Sequence, residues 1–182
     1  MCYNIFASKE GKEMKKYAMI CVLVLGLCLT TAGMVSAEGD DAAKNKTITE
    51  IGTLVNSQKY QIALTKCNSA IQKYPDEAFL YYWRASIENS TGDKHKAIED
   101  LNKSIELNPS NPRAYVLRGI CKSELEDREG ALEDYNKAIE LNPKDSSAYS
   151  MRACVKLDMG DFDGANADLD ISNKLMNSKT EK

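Results

Sequence analysis

Few side chains in this sequence have the type and spacing that catalysis or metal binding requires. The one histidine, His95, stands in a charged run next to Lys94 and Lys96. A catalytic histidine needs an orienting acid and a nucleophile or metal nearby. No nucleotide-binding glycine loop, HExxH motif or EF-hand loop occurs, and one histidine with scattered cysteines gives no zinc-ligand spacing. The sequence therefore predicts a protein that is not an enzyme, with no metal site and no cofactor.

Charged residues recur at a fixed interval. An arginine returns every 34 residues, and an aspartate follows each arginine after 16 residues. In the first frame Glu50 and Lys66 hold these places with both signs reversed. Pairing between frames would set Lys66 against Arg84, whereas pairing within a frame keeps every pair attractive. We therefore predict four ion pairs within frames; the alternative is independent surface charges, each contributing about 0–1 kcal/mol even if paired. The pairs are Glu50–Lys66, Arg84–Asp100, Arg118–Asp134 and Arg152–Asp168.

The same interval governs a longer pattern that would position these charges. Ala131–Pro143 reads ALEDYNKAIELNP, and Ala97–Pro109 agrees with it at ten of thirteen places, with a weaker copy at Ala63–Pro75. A period of this size indicates a stacked repeat architecture. The proline that closes each copy ends a helix, because proline cannot continue one. Turn residues around Gly92 and Gly160 divide the frames into two helical segments, so the sequence predicts tandem helical hairpins.

These features resemble the tetratricopeptide repeat family, whose unit is a helix–turn–helix of this length. The resemblance rests on an aromatic residue in the first helix, a small residue where the helices cross, a turn glycine, and two small residues in the second helix. It implies an all-α, right-handed solenoid of helical hairpins. The matching residues are Tyr81, Tyr115, Tyr149; Ala85, Gly119, Ala153; Gly92, Gly160; Ala63, Ala97, Ala131, Ala165; Ala70, Ser104, Ala138 and Ser172.

The 34-residue frame fits the sequence four times. In the first frame Ile51 stands at the small position, which predicts a degenerate cap with a loosened first helix. Asn166 and Asn173 replace apolar residues in the last frame, which predicts the polar end of the array, with fraying from Asn177. The predicted boundaries are a flexible acidic leader at 38–43, repeats at 44–77, 78–111, 112–145 and 146–179, and a tail at 180–182.

The beginning of the chain has the pattern of a secretory signal peptide. Basic residues follow Met14, then come an apolar run, Ala18–Leu29, and a small-x-small cleavage site ending at Ala37. The run is shorter than the roughly 20 residues of a membrane-spanning helix. We expect translation to start at Met14 and residues 1–37 to be removed. This predicts a periplasmic or secreted protein without membrane insertion; the alternatives are an uncleaved anchor or lipidation at Cys28.

Three cysteines would remain after cleavage: Cys67, Cys121 and Cys154. The register places Cys67 on a core face, where a free cysteine behaves as a small hydrophobe. Cys121 and Cys154 occupy first helices of neighbouring repeats. A disulfide between them is possible, and the sequence leaves it open.

The resemblance implies a groove lined by the first helices, which in this family holds a peptide or a partner's helix. The Lys and Asn clamp that some members use for a terminal carboxylate is absent, and the aromatic residues favour an apolar or helical peptide. Alternatively, Tyr82 and Trp83 pack between repeats. The candidate groove residues are Phe79, Tyr82, Ser86, Asn89, Arg113, Val116, Ile120, Ser123, Ser147, Ser150 and Cys154.

The predicted function is a non-catalytic, monomeric scaffold that binds a protein or peptide. A net charge of −3 without a basic stripe argues against nucleic acid as partner. Two alternatives stay open at this point. One is a structural envelope component that self-associates, and the other is a binder of a small ligand or cell-wall fragment.

Overall fold

The computed structural model describes residues 39–180, with side chains to residue 178. The predicted signal peptide, Glu38 and residues 181–182 lie outside this range. The chain divides into two units, residues 1–46 and 47–182. The described residues of the first unit, 39–46, are helical, in the segment where the sequence analysis places a flexible acidic leader, 38–43. Ala42 and Ala43 favour helix, and Lys44 pairs with Asp41 one turn earlier at 3.0 Å.

The second unit consists of helices joined by short turns, and no strand occurs among the described residues. Residues 39–56 are helical, and the part within the second unit, 47–56, is called α1. The remaining helices are α2 (Tyr60–Lys73), α3 (Ala78–Thr91), α4 (Lys94–Leu107), α5 (Pro112–Glu124), α6 (Arg128–Leu141), α7 (Ser146–Asp158) and α8 (Phe162–Thr180).

The helices pack as hairpins. The most extensive contacts join α3 to α4, α5 to α6 and α7 to α8, and each hairpin then contacts the next. Acidic or amide side chains cap the starts of α3 to α7: Asp127, for example, accepts a hydrogen bond from the Gly130 amide at 3.0 Å, and Asn111 from the Arg113 amide at 3.2 Å. This arrangement confirms the predicted all-α solenoid of helical hairpins.

Small residues let the two helices of a hairpin approach closely. Ala85, Gly119 and Ala153, at the predicted crossing position, are buried. A Cβ atom on Gly119 would lie 2.7 Å from the ring of Tyr135, a bulky residue 16 positions later in the same repeat. In the preceding repeat Ala85 shares its core cluster with the smaller Leu101. The crossing therefore holds a matched pair of one large and one small residue.

The first hairpin meets the same requirement with the sizes exchanged. Ile51 is fully buried, and it belongs to a core cluster with Cys67, the residue 16 positions later. Residues 47–56 are helical. The predicted loosening of the first helix is therefore wrong, because a small Cys67 makes room for Ile51.

The turns within the four hairpins each contain a residue with positive φ at equivalent places, 34 positions apart: Gln58 at 58°, Gly92 at 94°, Glu126 at 66° and Gly160 at 82°. Glycine adopts this left-handed conformation without a Cβ penalty, whereas glutamate adopts it at a cost. The substitution at Glu126 thus changes the residue but keeps the turn.

The four predicted ion pairs form. Arg84, Arg118 and Arg152 each bind an aspartate through two parallel hydrogen bonds of 2.5–2.9 Å. Lys66 binds Glu50 with the reversed signs. The aspartates Asp134 and Asp168 are 3% and 2% exposed, so their pairs lie between the helices, whereas the Lys66 and Glu50 side chains are 38% and 42% exposed.

Each of the three arginines also contacts the preceding hairpin, which the sequence reasoning missed. Its Nη1 donates to the side-chain oxygen of an asparagine one repeat earlier: Asn68, Asn102 or Asn136, at 2.6–2.9 Å. Its guanidinium lies 5.6–5.7 Å from the ring centroid of a tyrosine one turn earlier. That tyrosine donates its hydroxyl hydrogen to the carbonyl of the closing proline of the preceding repeat. We call this recurring set the arginine ladder.

The cysteines of the described residues are free thiols. Cys67 is fully buried, as predicted, and burial raises the pKa of its thiol to about 12. Burial likewise raises the pKa of Cys121 to about 11. Both therefore stay protonated and act as small apolar core residues, while Cys154 is exposed.

The last hairpin has a polar outer side. Asn166 and Asn173 are exposed, as expected for a terminal repeat. Helix α8 continues to Thr180, so the residues where the sequence predicts fraying, from Asn177, are helical as far as the structure describes them. None of the helices in the described range combines the length and apolarity needed to cross a membrane.

Candidate functional site

The first helices of successive hairpins lie side by side, since α5 contacts both α3 and α7. We call the surface that they share the first-helix face. A cavity of about 380 Å³ opens on it, within the size range of ligand pockets. Its lining residues are Tyr82, Arg113, Val116, Leu117, Ile120, Asp145 and Ser147.

Five residues of the predicted groove meet in this cavity: Tyr82, Arg113, Val116, Ile120 and Ser147. They come from three helices and are separated by up to 65 positions in the chain. The 34-residue period brings them together, because equivalent positions of neighbouring first helices fall on one face. The sequence reasoning missed Leu117 and Asp145, which also line the cavity.

Other predicted groove residues do not line this cavity. The Asn89 side-chain oxygen accepts hydrogen bonds from Lys94 Nζ at 2.8 Å and from the Cys121 thiol at 3.3 Å. The Ser150 hydroxyl bonds to the hydroxyl of Ser172 on α8 at 2.7 Å. These two polar side chains are therefore engaged within the protein. The remaining residues outside the cavity lining are Phe79, Ser86, Ser123 and Cys154.

Tyr82 and Trp83, the aromatic residues next to the cavity, have different surroundings. Trp83 packs on the first hairpin, where a Cβ atom on Gly52 would lie 2.9 Å from its ring. Tyr82 contacts Trp83 edge-on with ring centroids 5.3 Å apart. It also packs against the core cluster that contains Ala85 and Leu101, and it lines the cavity. Trp83 thus follows the alternative in which it packs between repeats, whereas Tyr82 serves both the core and the cavity.

The electrostatic character of the cavity comes from two residues at its edge. Arg113 is exposed at the start of α5, and Asp145 caps α7 by accepting hydrogen bonds from the amide and hydroxyl of Ser147 at 3.0 and 2.7 Å. Burial raises the pKa of the Tyr82 hydroxyl, so this group stays neutral. The cavity therefore has an apolar interior and a charged rim.

The structure shows no grouping of histidine, cysteine, aspartate and glutamate suited to a metal ion within the described residues. His95 is exposed on α4. Among the described residues that line the cavity, the Ser147 hydroxyl donates to the capping carboxylate of Asp145, and no histidine or cysteine is present.

A second cavity, of about 290 Å³, lies where α2, α3 and α4 meet. It contains Glu88, whose buried Oε2 has no hydrogen-bond partner, and Asp100 of the arginine ladder. Burial first, and then repulsion by Asp100, raises the pKa of Glu88 to about 7. The equivalent residues of the next two repeats are Lys122 and Lys156. The change from lysine to glutamate at this position of the 34-residue pattern is the sequence signal that distinguishes the second repeat.

Comparison with family models identifies repeats between residues 80 and 165. Three tetratricopeptide repeat models match, at residues 80–111, 112–145 and 134–165. The chain belongs to the tetratricopeptide repeat family. Members of this family are protein-interaction modules, so membership indicates an interaction scaffold. No curated protein sequence matches the chain.

Solved tetratricopeptide repeat structures share the fold. MamA superposes with a TM-score of 0.69 at 20% identity, over 76% of this chain and 81% of that one. TTC0263 of Thermus thermophilus gives 0.66 at 21% identity, over 72% and 74%. The first tetratricopeptide domain of Spaghetti (RPAP3), solved with the HSP90 peptide SRMEEVD, gives 0.61 at 23% identity, over 64% and 93%. At these identities the likeness concerns the fold alone.

Proposed function

We propose that this protein is a non-catalytic scaffold that binds a peptide or helix of a partner protein on its first-helix face. The observation that carries the proposal is the cavity between α3, α5 and α7. It gathers apolar side chains from two helices beneath a polar rim, as binding pockets in proteins do. The Spaghetti domain solved with a bound peptide supports the capacity of this fold for such binding.

The chemistry of the face points to a ligand held largely by apolar contact. The positions where clamp-bearing relatives carry lysine and asparagine hold Tyr82, Val116 and Ile120 here. These residues cannot bind a terminal carboxylate through charge. An apolar side chain of the ligand would instead displace water from the cavity, at about 25 cal/mol for each Å² of apolar surface buried.

We place this binding outside the cytoplasm. The basic residues after Met14, the apolar run and the small residues before Glu38 support export followed by cleavage after Ala37. The scaffold would then act in the periplasm or beyond it. Amino-terminal sequencing of the protein recovered from the producing cell tests cleavage, and a first residue other than Glu38 would contradict the site.

Photo-crosslinking in the producing cell tests the binding face. A photoreactive phenylalanine analogue replaces Phe79, an exposed phenylalanine of α3 outside the cavity lining, so the change adds little bulk and leaves the cavity open. The matched control places the same analogue at Lys174, exposed on α8. We expect a discrete adduct with a partner protein from position 79 and none from 174. Equal adducts from both positions, or none from 79, would overturn the proposal.

A further inference from the structure

Arg113 differs from the other arginines of the described chain. Arg84, Arg118 and Arg152 bind aspartates, and Arg128 binds Glu126. Among the described residues, no acidic side chain forms an ion pair with Arg113. Its backbone amide binds the capping Asn111, while its side chain lines the cavity on the first-helix face. The guanidinium is therefore available to a ligand.

The other charge at the cavity does not neutralise Arg113 by contact. Asp145 directs Oδ1 to the amide and hydroxyl of Ser147, at the amino-terminal end of α7. The positive end of the helix dipole and these hydrogen bonds already stabilise that carboxylate. Among the described residues, Arg113 thus has no ion-pair partner at a rim where Asp145 supplies the opposite charge, and its guanidinium hydrogens are open to a ligand.

The interior of the same cavity is apolar. Val116, Leu117 and Ile120 of α5 form it together with the ring of Tyr82. A volume of about 380 Å³ admits an aromatic or branched aliphatic side chain. An extended chain advances about 3.3 Å per residue. A ligand residue one or two positions from such an anchor would therefore reach the long side chain of Arg113 at the rim.

We propose that the cavity takes a large apolar side chain of a peptide that carries an aspartate or glutamate one or two residues away, bound by Arg113. Arginine suits this role because its planar guanidinium can bind a carboxylate through two parallel hydrogen bonds. The inference rests on the proposed function and adds the sequence character of the ligand. It concerns an internal acidic side chain and requires no terminal carboxylate.

Selection from a phage-displayed library of random dodecapeptides tests the inference. The target is the protein expressed from the full sequence, alongside three variants that keep the core intact. Ser147→Trp fills the cavity from its rim, Arg113→Glu reverses the charge there, and Lys174→Glu makes the same charge change on α8. Circular dichroism and melting curves confirm that each variant folds.

We expect the wild type and Lys174→Glu to enrich peptides with an apolar residue near an acidic one. Arg113→Glu should enrich apolar peptides with lysine or arginine in the acidic place, and Ser147→Trp should enrich none. Apolar peptides without an acidic preference, or an unchanged preference in Arg113→Glu, would overturn this inference and leave the binding face standing. Wild-type enrichment no greater than that of Ser147→Trp would overturn peptide binding at the cavity altogether.

A synthetic copy of one enriched peptide provides the quantitative check. Replacing its acidic residue by glutamine should weaken binding to the wild type roughly tenfold, as loss of one charge-assisted contact predicts. The same replacement should leave binding to Arg113→Glu unchanged or improve it. Equal losses in both proteins would show that the acidic residue acts elsewhere, which contradicts the assignment to Arg113.

Discussion

Arg118 and Asp134 bind each other through two parallel hydrogen bonds across the third hairpin. Arg118 Nε donates to Asp134 Oδ2 at 2.9 Å, and Nη2 donates to Oδ1 at 2.6 Å. The remaining Nη1 donates to Asn102 of the preceding hairpin at 2.7 Å. One guanidinium thus joins two helices of its own repeat to a helix of the previous one. Because the ladder repeats this contact, it joins each of the first helices α3, α5 and α7 to the hairpin before it.

The first prediction concerns the energy of this contact. Arg118→Ala, Asp134→Ala and the double variant should give a coupling free energy of about 1–3 kcal/mol in chemical unfolding, because contacting residues in a buried network couple by such amounts. Asp134→Ala should lower the free energy of unfolding more than Arg118→Ala does. Without the Asp134 carboxylate, two cations lose their ion-pair partner: Arg118, and Lys122, whose Nζ lies 3.0 Å from Asp134 Oδ2.

The matched control is Lys137–Glu140, an exposed pair one turn apart on α6. Its coupling free energy should be about 0.2–0.5 kcal/mol, the range for oppositely charged pairs three or four residues apart on a helix. A value for Arg118–Asp134 no larger than that of Lys137–Glu140 would show that the buried position adds nothing. The ladder would then be a consequence of the packing and not a cause of it.

The ion pairs could be predicted from the sequence because only residues of opposite charge attract each other. The reversal at Glu50 and Lys66 distinguishes pairing within a frame from pairing between frames. Asn102 recurs with the same period but is neutral, and no sign rule connects it to an arginine in the next frame. The contact between repeats therefore became visible only in three dimensions.

For the candidate site too, the sequence predicts which positions share a face but not which side chains are bonded within the protein. Register alone brings Tyr82, Val116 and Ile120 to one face, and the cavity includes them. Register does not show whether a polar side chain is already bonded within the protein, as Asn89 and Ser150 are. Nor does it show that Asp145, a capping residue in a turn, reaches the rim.

The second prediction tests whether the side chains that meet at the helix crossing, Gly119 and Tyr135, are matched in size. Gly119→Ala places a methyl group against the Tyr135 ring, and should destabilise the protein by about 1–2 kcal/mol through overpacking. Tyr135→Leu alone should also destabilise, because it leaves a cavity. The double variant recreates the Ala85–Leu101 pair of the second repeat. In urea unfolding it should be more stable than either single variant, and additive losses would contradict this size matching.

The third prediction concerns the turn of the third hairpin. Glu126 has a φ of 66°, where the flanking repeats have glycine. Glu126→Gly should stabilise the protein by about 0.5–1 kcal/mol, since it relieves the left-handed strain at some entropic cost. Calorimetry should show a rise of about 1–4 °C in Tm. Glu126→Ala also removes the exposed ion pair to Arg128 but keeps a Cβ atom, so it should not raise Tm.

The fourth prediction concerns charge at the second repeat. Lys122 and Lys156 pair with the ladder aspartates at 3.0 and 2.9 Å and donate to the carbonyls of Gly130 and Gly164 at 3.3 Å. Glu88 occupies the equivalent place beside Asp100. Glu88→Lys should therefore stabilise the folded state at pH 8, measured by urea unfolding. A loss of stability would mean that the environment of Glu88 cannot accept the pairing seen in the later repeats.

The fifth prediction gives this site a pH dependence. The Glu88 pKa lies near 7 in the folded protein, above its ordinary value of 4.5, because burial and Asp100 disfavour the carboxylate more than Arg84 favours it. The folded state therefore binds a proton that the unfolded state has released. The contribution of Glu88 to stability is complete below about pH 4.5 and is lost as the pH rises through about 7. Glu88→Gln removes this titration and leaves the other carboxylates in place. The difference in unfolding free energy between wild type and Glu88→Gln should thus fall from pH 5 to pH 8, and a constant difference would show that Glu88 is ionised throughout.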